Sequence, residues 1–271
     1  MKVRILAAVA LLPLLLLVVL AAPKIFTVIL FAAMAAVGTY ELLIGTGLVK
    51  HPRLFIYSGV MALWCVLWSG LGLGQVWLLL SVLLFWGLLF MEVMLSEMKI
   101  PFSKVSICFA GGVILPLLLG SLVRIHQTEH GRFFIMIPFV LAFLSDTGAY
   151  FAGLKFGKNK LAPKISPKKT IEGVVGGVLG AAVGMLLFCM ILQVFWDFEI
   201  CYWAVPIYGL IGSLAGVFGD LCFSVIKRQT GIKDYGNLIP GHGGILDRFD
   251  SMMLVGPLAE VLLILLPVAV K

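Results

Sequence analysis

The sequence predicts an all-α, polytopic integral membrane protein with about nine transmembrane helices. Three observations carry this prediction. Hydrophobic residues make up 62% of the 271 residues and charged ones only 12%, against about 25% charged in a soluble domain. Mean hydropathy is +1.13. Nine apolar runs near the length that crosses a bilayer as helix are separated by short polar segments. They cover 5–22, 25–46, 54–73, 75–94, 106–124, 133–154, 172–195, 203–226 and 250–270.

Taken in order, the first run follows Lys2 and Arg4, and Val19-Leu20-Ala21 could pass as a signal-peptidase site. We read the run as a span. Only Ser69-Gly70-Leu71-Gly72-Leu73-Gly74-Gln75 separates the third and fourth runs, which predicts a tight helical hairpin. Gly176, Gly180 and Gly184 recur every four residues in the seventh run, as do Gly212 and Gly216 in the eighth. Small residues at that interval let helix backbones approach closely in lipid, so the seventh and eighth spans are expected to pack together. The plainer reading is that glycine is common in membrane helices. No internal repeat is visible. The five cysteines have no metal-ligand spacing and read as small buried hydrophobes.

Orientation follows from the positive-inside rule. With nine spans, only Lys24, Arg124, Arg132 and Lys271 fall on one side, leaving 16 of the 20 Lys and Arg on the other. The N-terminus and loops 155–171 and 227–249 are therefore expected in the cytoplasm, and the C-terminus outside. The net charge of +7 reports topology and contact with anionic lipid, with no call for nucleic acid. Residues 1–130, with about five spans, form an N-terminal membrane region, and 131–271 is the region where chemistry is expected.

Carboxylates in hydrocarbon are costly and face protein, water or a cation. Asp146 lies about two turns from the cytoplasmic end of the sixth span, and Asp220 nearly two turns from that end of the eighth. Asp247 and Asp250 stand one turn apart at the entry to the ninth, on one helix face. Four aspartates at similar depth suggest a shared polar cavity. Hard oxygen ligands select magnesium over zinc, held by one or two carboxylates plus substrate phosphates. Pairing with nearby Lys and Arg is the alternative for each. Glu41 and Glu92, near the cytoplasmic ends of their spans, could snorkel or pair with basic loop residues.

Two segments concentrate the remaining polar residues. Residues 145–173 hold six lysines, with Pro163 and Pro167, and read as an irregular cationic loop. It either lies on anionic lipid or recruits an anionic substrate through Lys168 and Lys169. Ser224–Asp250 packs Lys227, Arg228, Lys233, Asp234, His242, Asp247, Arg248 and Asp250 among five glycines. It has no G-x-x-x-x-G-K-[ST], so it is not a P-loop. With His242 as its one histidine it is not a zinc site. A magnesium-nucleotide site fits. Lys227, Arg228, Lys233 and Arg248 can neutralise a triphosphate. Gly243 and Gly244 would let backbone N–H groups approach phosphate oxygens, and Asp220 and Asp247 can hold the metal.

The stretch resembles the signature of the CTP:phosphatidate cytidylyltransferases (CDP-diacylglycerol synthases) of bacterial type. Ser224, Lys227-Arg228, Lys233-Asp234, Gly236, Ile239-Pro240, His242-Gly243-Gly244, Asp247-Arg248 and Asp250 satisfy every position of that pattern. A second family region is matched by Asp146, Gly148, Tyr150, Gly157, Ser166-Pro167-Lys168-Lys169-Thr170 and Glu172-Gly173. The likeness covers about 145–250. It implies a Mg²⁺-dependent transfer of CMP from CTP to phosphatidic acid, giving CDP-diacylglycerol and pyrophosphate, by a homodimer in the cell membrane. Under it, Asp220 and Asp247 are the metal ligands. Lys227, Arg228 and Arg248 stabilise phosphate charge, His242 is a phosphate or base contact, and Lys168 and Lys169 receive the lipid head group. Asp146 and Asp250 complete the metal shell or orient a lysine. Two rivals are a relative using CTP on another lipid, such as a polyprenol kinase or an archaeal-type lipid cytidylyltransferase, and a transporter for an anionic metabolite. Transporters favour inverted repeats and broken helices at the midplane, whereas here polar residues cluster at the cytoplasmic side.

Overall fold

A computed structural model describes residues 13–239, 241 and 243–270. Contacts divide the chain into two compact units. The first holds the described residues up to Arg132 together with Lys227–Phe249, and the second holds Phe133–Ile226 and the residues from Asp250 onward. Among the described residues, seven helical segments are long and apolar enough to cross a membrane, and they match the second to eighth predicted runs. Residues 5–12 of the first run lie outside the described residues, and 13–20 are helical (α1). The ninth is helical only over Met252–Leu265, which at about 1.5 Å per residue spans roughly 21 Å.

In the first unit, α2 (Lys24–Tyr40) runs on into a wider π-helical turn, Glu41–Gly45. Helix α3 (Pro52–Leu71) starts with proline at its first position and stops at Gly72, whose φ of 64° suits a left-handed C-terminal cap. Helix α4 (Gln75–Leu95) follows at once, as the expected hairpin. It fully buries only Phe85 and Leu89 among its own residues, and one face, with Leu78, Val82, Phe90 and Val93, packs against the core while most of the rest is exposed. The next span is compound: α5 (Phe102–Phe109), a π-helical turn (Ala110–Ile114) and α6 (Leu115–Gln127). Pro116 supplies no N–H to the turn before it, which leaves carbonyls there in need of partners. Thr39 donates to the Gly111 carbonyl at 2.7 Å and the Cys65 thiol to that of Gly112 at 3.7 Å. Leu43, Leu54, Cys65, Phe85, Leu89 and Cys108 form the core of this unit.

The second unit is built on α8 (Met136–Phe156), preceded by one short turn α7 (Gly131–Phe134, of which Gly131 and Arg132 belong to the first unit), and on α9 (Ile171–Trp196). The Lys-rich segment between them is not irregular: β1 (Lys160–Ala162) and β2 (Ser166–Thr170) form an antiparallel hairpin, with Lys160 opposite Thr170. Pro163 sits in its turn, and Pro167 lies in a strand with a free edge, where its missing N–H costs little. Thr170 caps α9 by accepting the Gly173 N–H at 3.1 Å. Glu172 accepts the N–H groups of Lys158 and Asn159 and the Asn159 amide. Helix α10 (Val205–Thr230) ends before Gly231, whose φ is 71°. Helices α11 (Leu246–Phe249) and α12 (Met252–Leu265) close the chain with β4 (Ala269–Val270), which pairs with β3 (Glu199–Ile200). The fold is thus helical with two small sheets that the all-α reading did not include.

The glycine stripe of the seventh run does not face the eighth as expected. A Cβ on Gly176 or Gly180 would strike backbone or side chain of α8 at Gly148, Ala152 or Leu144, and one on Gly184 would strike Leu144. Gly212 approaches Leu141 of α8, and Gly216 lies near Ser251 and Val255. Helices α9 and α10 meet through other small residues, Gly209 against Ala182 and Gly177 beside Ser213. Cys65, Cys108 and Cys189 are buried, and all five cysteines are free thiols.

Candidate active site

The motif 227–249 folds around two buried carboxylates of the first unit. Asp247, on α11, has a side chain only 3% exposed. Its Oδ1 accepts from the Lys227 ammonium at 2.9 Å, and its Oδ2 accepts the N–H groups of Tyr235 at 2.8 Å and Gly244 at 3.0 Å. Lys227 lies on the last turn of α10, 13% exposed, with its ammonium 5.5 Å from the centre of the Tyr235 ring. Gly243 has a φ of +86°, and a Cβ there would come within 2.8 Å of the Asp247 carboxylate. The Gly243 carbonyl accepts the Ile239 N–H at 3.0 Å, which closes the loop. In this structure the Gly244 N–H points at Asp247, so the glycines let a protein carboxylate approach the backbone.

The second carboxylate is Glu41, 2% exposed. It neither snorkels nor pairs with a basic loop residue. Its two oxygens accept the N–H groups of Ile245 and Leu246, each at 2.9 Å. Sequence reasoning missed this role. The one available signal was an acid in an apolar span, and its partner lies 204 residues downstream. Glu92 does pair as expected, 3.5 Å from Arg53, and also accepts from the Tyr57 hydroxyl.

In the second unit Asp220 forms an ion pair with Lys169, the two side chains being 29% and 23% exposed. Asp220 also accepts from the Ser224 hydroxyl at 3.2 Å. Lys169 donates to the Val217 carbonyl as well. Asp146 lies within electrostatic reach of both Lys169 and Asp220. Next to it in sequence, Ser145 shares a buried hydrogen bond of 2.7 Å with Ser213. Asp250 does not continue the helix of Asp247. It stands in the turn between α11 and α12, its carboxylate accepting the N–H of Ser251 at 2.8 Å, a local bond that competes with helix continuation. Lys168, Arg228, Lys233 and Arg248 are exposed. His242 lies outside the described residues.

Among the described residues no cluster of three or more His, Cys, Asp or Glu side chains could hold a metal ion. Magnesium needs less, since one or two carboxylates suffice when phosphates complete the shell. The donor chemistry fits. Asp220 and Asp247 each present hard oxygens, and each already binds one cation, the ammonium of Lys169 or of Lys227.

The profile of the Cytidylyltransferase family matches residues 2–266. The chain belongs to this family. Curated relatives include the phosphatidate cytidylyltransferase of Staphylococcus saprophyticus, 37% identical over 169 residues. That alignment covers 62% of this chain and 61% of the relative. The phosphatidate cytidylyltransferase of Staphylococcus aureus is 36% identical over 174 residues, with the same two coverages. The chain therefore spans about three fifths of the length of the curated relatives it matches.

Proposed function

We propose that this protein is a phosphatidate cytidylyltransferase, transferring CMP from CTP to phosphatidic acid to give CDP-diacylglycerol and pyrophosphate. The observation that carries the reading is the Lys227–Asp247 pair, buried within a family motif that gathers four basic side chains and a glycine-lined loop. The relatives' name supports it.

In this reaction an oxygen of the lipid phosphate attacks the α-phosphorus of CTP. The bond from that phosphorus to the β-phosphate oxygen breaks, and pyrophosphate leaves. The attacking oxygen is already ionised, so no strong general base is required, and catalysis is positioning plus charge neutralisation. Lys227, Arg228 and Arg248 stabilise charge on the α-phosphate and the leaving group. Lys168 and Lys169 receive the phosphatidate head group, Lys233 and His242 contact CTP, and Gly243 and Gly244 keep the loop backbone close to the phosphates. In this reading Asp220 and Asp247 are the residues that would hold magnesium, and Asp146 and Asp250 would support it or orient a lysine. Magnesium when bound supplies neutralisation of phosphate charge. Lys169 and Lys227, which pair with these carboxylates, would meet the phosphate charge of the incoming anions.

The reading includes nine spans, cytoplasmic motif loops and N-terminus, an outer C-terminus, and a homodimer. Pairing of Glu199–Ile200 with Ala269–Val270 supports placing the chain's last strand beside the α9–α10 connection. Purified protein in detergent with phosphatidic acid, labelled CTP and Mg²⁺ tests the function. Mg²⁺-dependent label in the lipid fraction with equimolar pyrophosphate, lost in Asp247→Asn, is the expected result. Phosphorylated lipid with CDP release would make the protein a kinase, and no CTP turnover by folded protein would end the enzyme reading.

A further inference from the structure

We infer that Glu41 is the positioning residue on which the motif loop is folded, so that an acid from the N-terminal spans sets where Asp247 and Arg248 stand. The inference rests on the proposed function for its kinetic part and on geometry alone for its structural part. Glu41 opens the π-helical turn at the end of α2 and is 2% exposed. Among the described residues no Lys, Arg or His forms an ion pair with it. Instead its carboxylate spans the two amides, Ile245 and Leu246, that lead into α11. Asp247 is the next residue. Its own carboxylate takes the neighbouring amide of Gly244 and that of Tyr235. Two acids thus divide the loop's amides between them, Glu41 holding 245 and 246 and Asp247 holding 235 and 244.

Two glycines of the loop pack closely against Glu41. A Cβ on Gly244 would lie 2.3–2.5 Å from the Glu41 carboxylate, and one on Gly236 within 2.7 Å of it. A Cβ on Gly45 would lie 2.4 Å from the Tyr235 carbonyl. Glutamine would not replace the acid, because its amide NH₂ cannot accept the second N–H. The arrangement also sets two buried carboxylates within electrostatic reach of each other, a cost that simple loop anchoring by a neutral acceptor would avoid. Displacing the loop by a fraction of an ångström would move Asp247 and Arg248 with it.

The test uses full-length protein in detergent and compares wild type with Glu41→Gln, Gly244→Ala and the double variant Glu41→Asp/Gly244→Ala. Glu41→Gln is expected to lower kcat about 10- to 100-fold with KM for phosphatidic acid within about twofold. Its melting temperature should stay within about 3 °C of wild type. Hydrogen exchange in a peptide covering 243–249 should quicken about tenfold or more. The shorter acid should make room for the added methyl, so the double variant should be more active than Gly244→Ala alone. Unchanged kcat and unchanged exchange in folded Glu41→Gln would overturn the inference. So would a kcat loss that merely follows the folded fraction, or a double variant no better than Gly244→Ala. If wild type turns over no CTP, the functional reading falls by itself. The exchange measurement then decides the placement of the loop, faster exchange supporting it and unchanged exchange overturning it.

Discussion

The Lys227 ammonium stands 2.9 Å from the Asp247 carboxylate, with only 13% and 3% of the two side chains exposed. Breaking a buried pair from one side leaves the other charge uncompensated, at about 3–5 kcal/mol. Replacing both members avoids that cost. Asp247→Asn and Lys227→Met should each lower the melting temperature and abolish transfer. The double variant should regain much of the stability and none of the activity. A double-mutant cycle on thermal unfolding should give a coupling of about 1–3 kcal/mol. Additive losses would show that the two side chains do not depend on each other.

Asp220 and Lys169 make the corresponding pair in the second unit, more open to its surroundings. If a divalent cation and the ammonium compete for that carboxylate, Lys169→Met should tighten Mn²⁺ binding in the absence of substrates. Asp220→Asn should weaken it about 10- to 100-fold. Electron paramagnetic resonance of free Mn²⁺ reads both. Weaker binding in Lys169→Met would show that the lysine helps the metal and does not compete with it.

The α8–α9 seam has no room for side chains at Gly148 and Gly176, where a Cβ would lie 2.3 Å from the Gly176 carbonyl and 2.1 Å from the Ala152 Cβ respectively. Gly148→Ala or Gly176→Ala should cost about 1–3 kcal/mol through overpacking. Gly87→Ala on α4, where nothing lies within 4 Å, should be neutral or slightly stabilising. Melting temperatures in one detergent compare the three. Equal effects at all positions would mean the seam is looser than it stands here.

Hydropathy located seven of the helices because a lipid-facing span such as α4 is apolar along its whole length. Its weakest results came where structure depends on partners far along the chain. The four-residue glycine period marked a close-packing face of α9 correctly, but a period cannot say which helix that face meets, and it meets α8. The 160–170 hairpin is too short and too rich in lysine for an alternating pattern to show. The charged residues of 224–250 were legible as a group. Their division into partners was not: Asp247 with Lys227 but Asp220 with Lys169, from a loop some fifty residues earlier. Glu41 stood out only as an acid in an apolar run, with nothing nearby to pair it.

The separation of 204 residues between Glu41 and Ile245 has a meaning for biosynthesis. A ribosome adding about 5–20 residues per second reaches Ile245 roughly 10–40 s after Glu41. Through that interval the N-terminal helices are already made, yet the amides that will hold the acid do not exist. The first unit can close only after the whole segment 133–226 has been synthesised. The helix that carries Glu41 is therefore made early and matures late, because the amides that satisfy its acid come 204 residues after it.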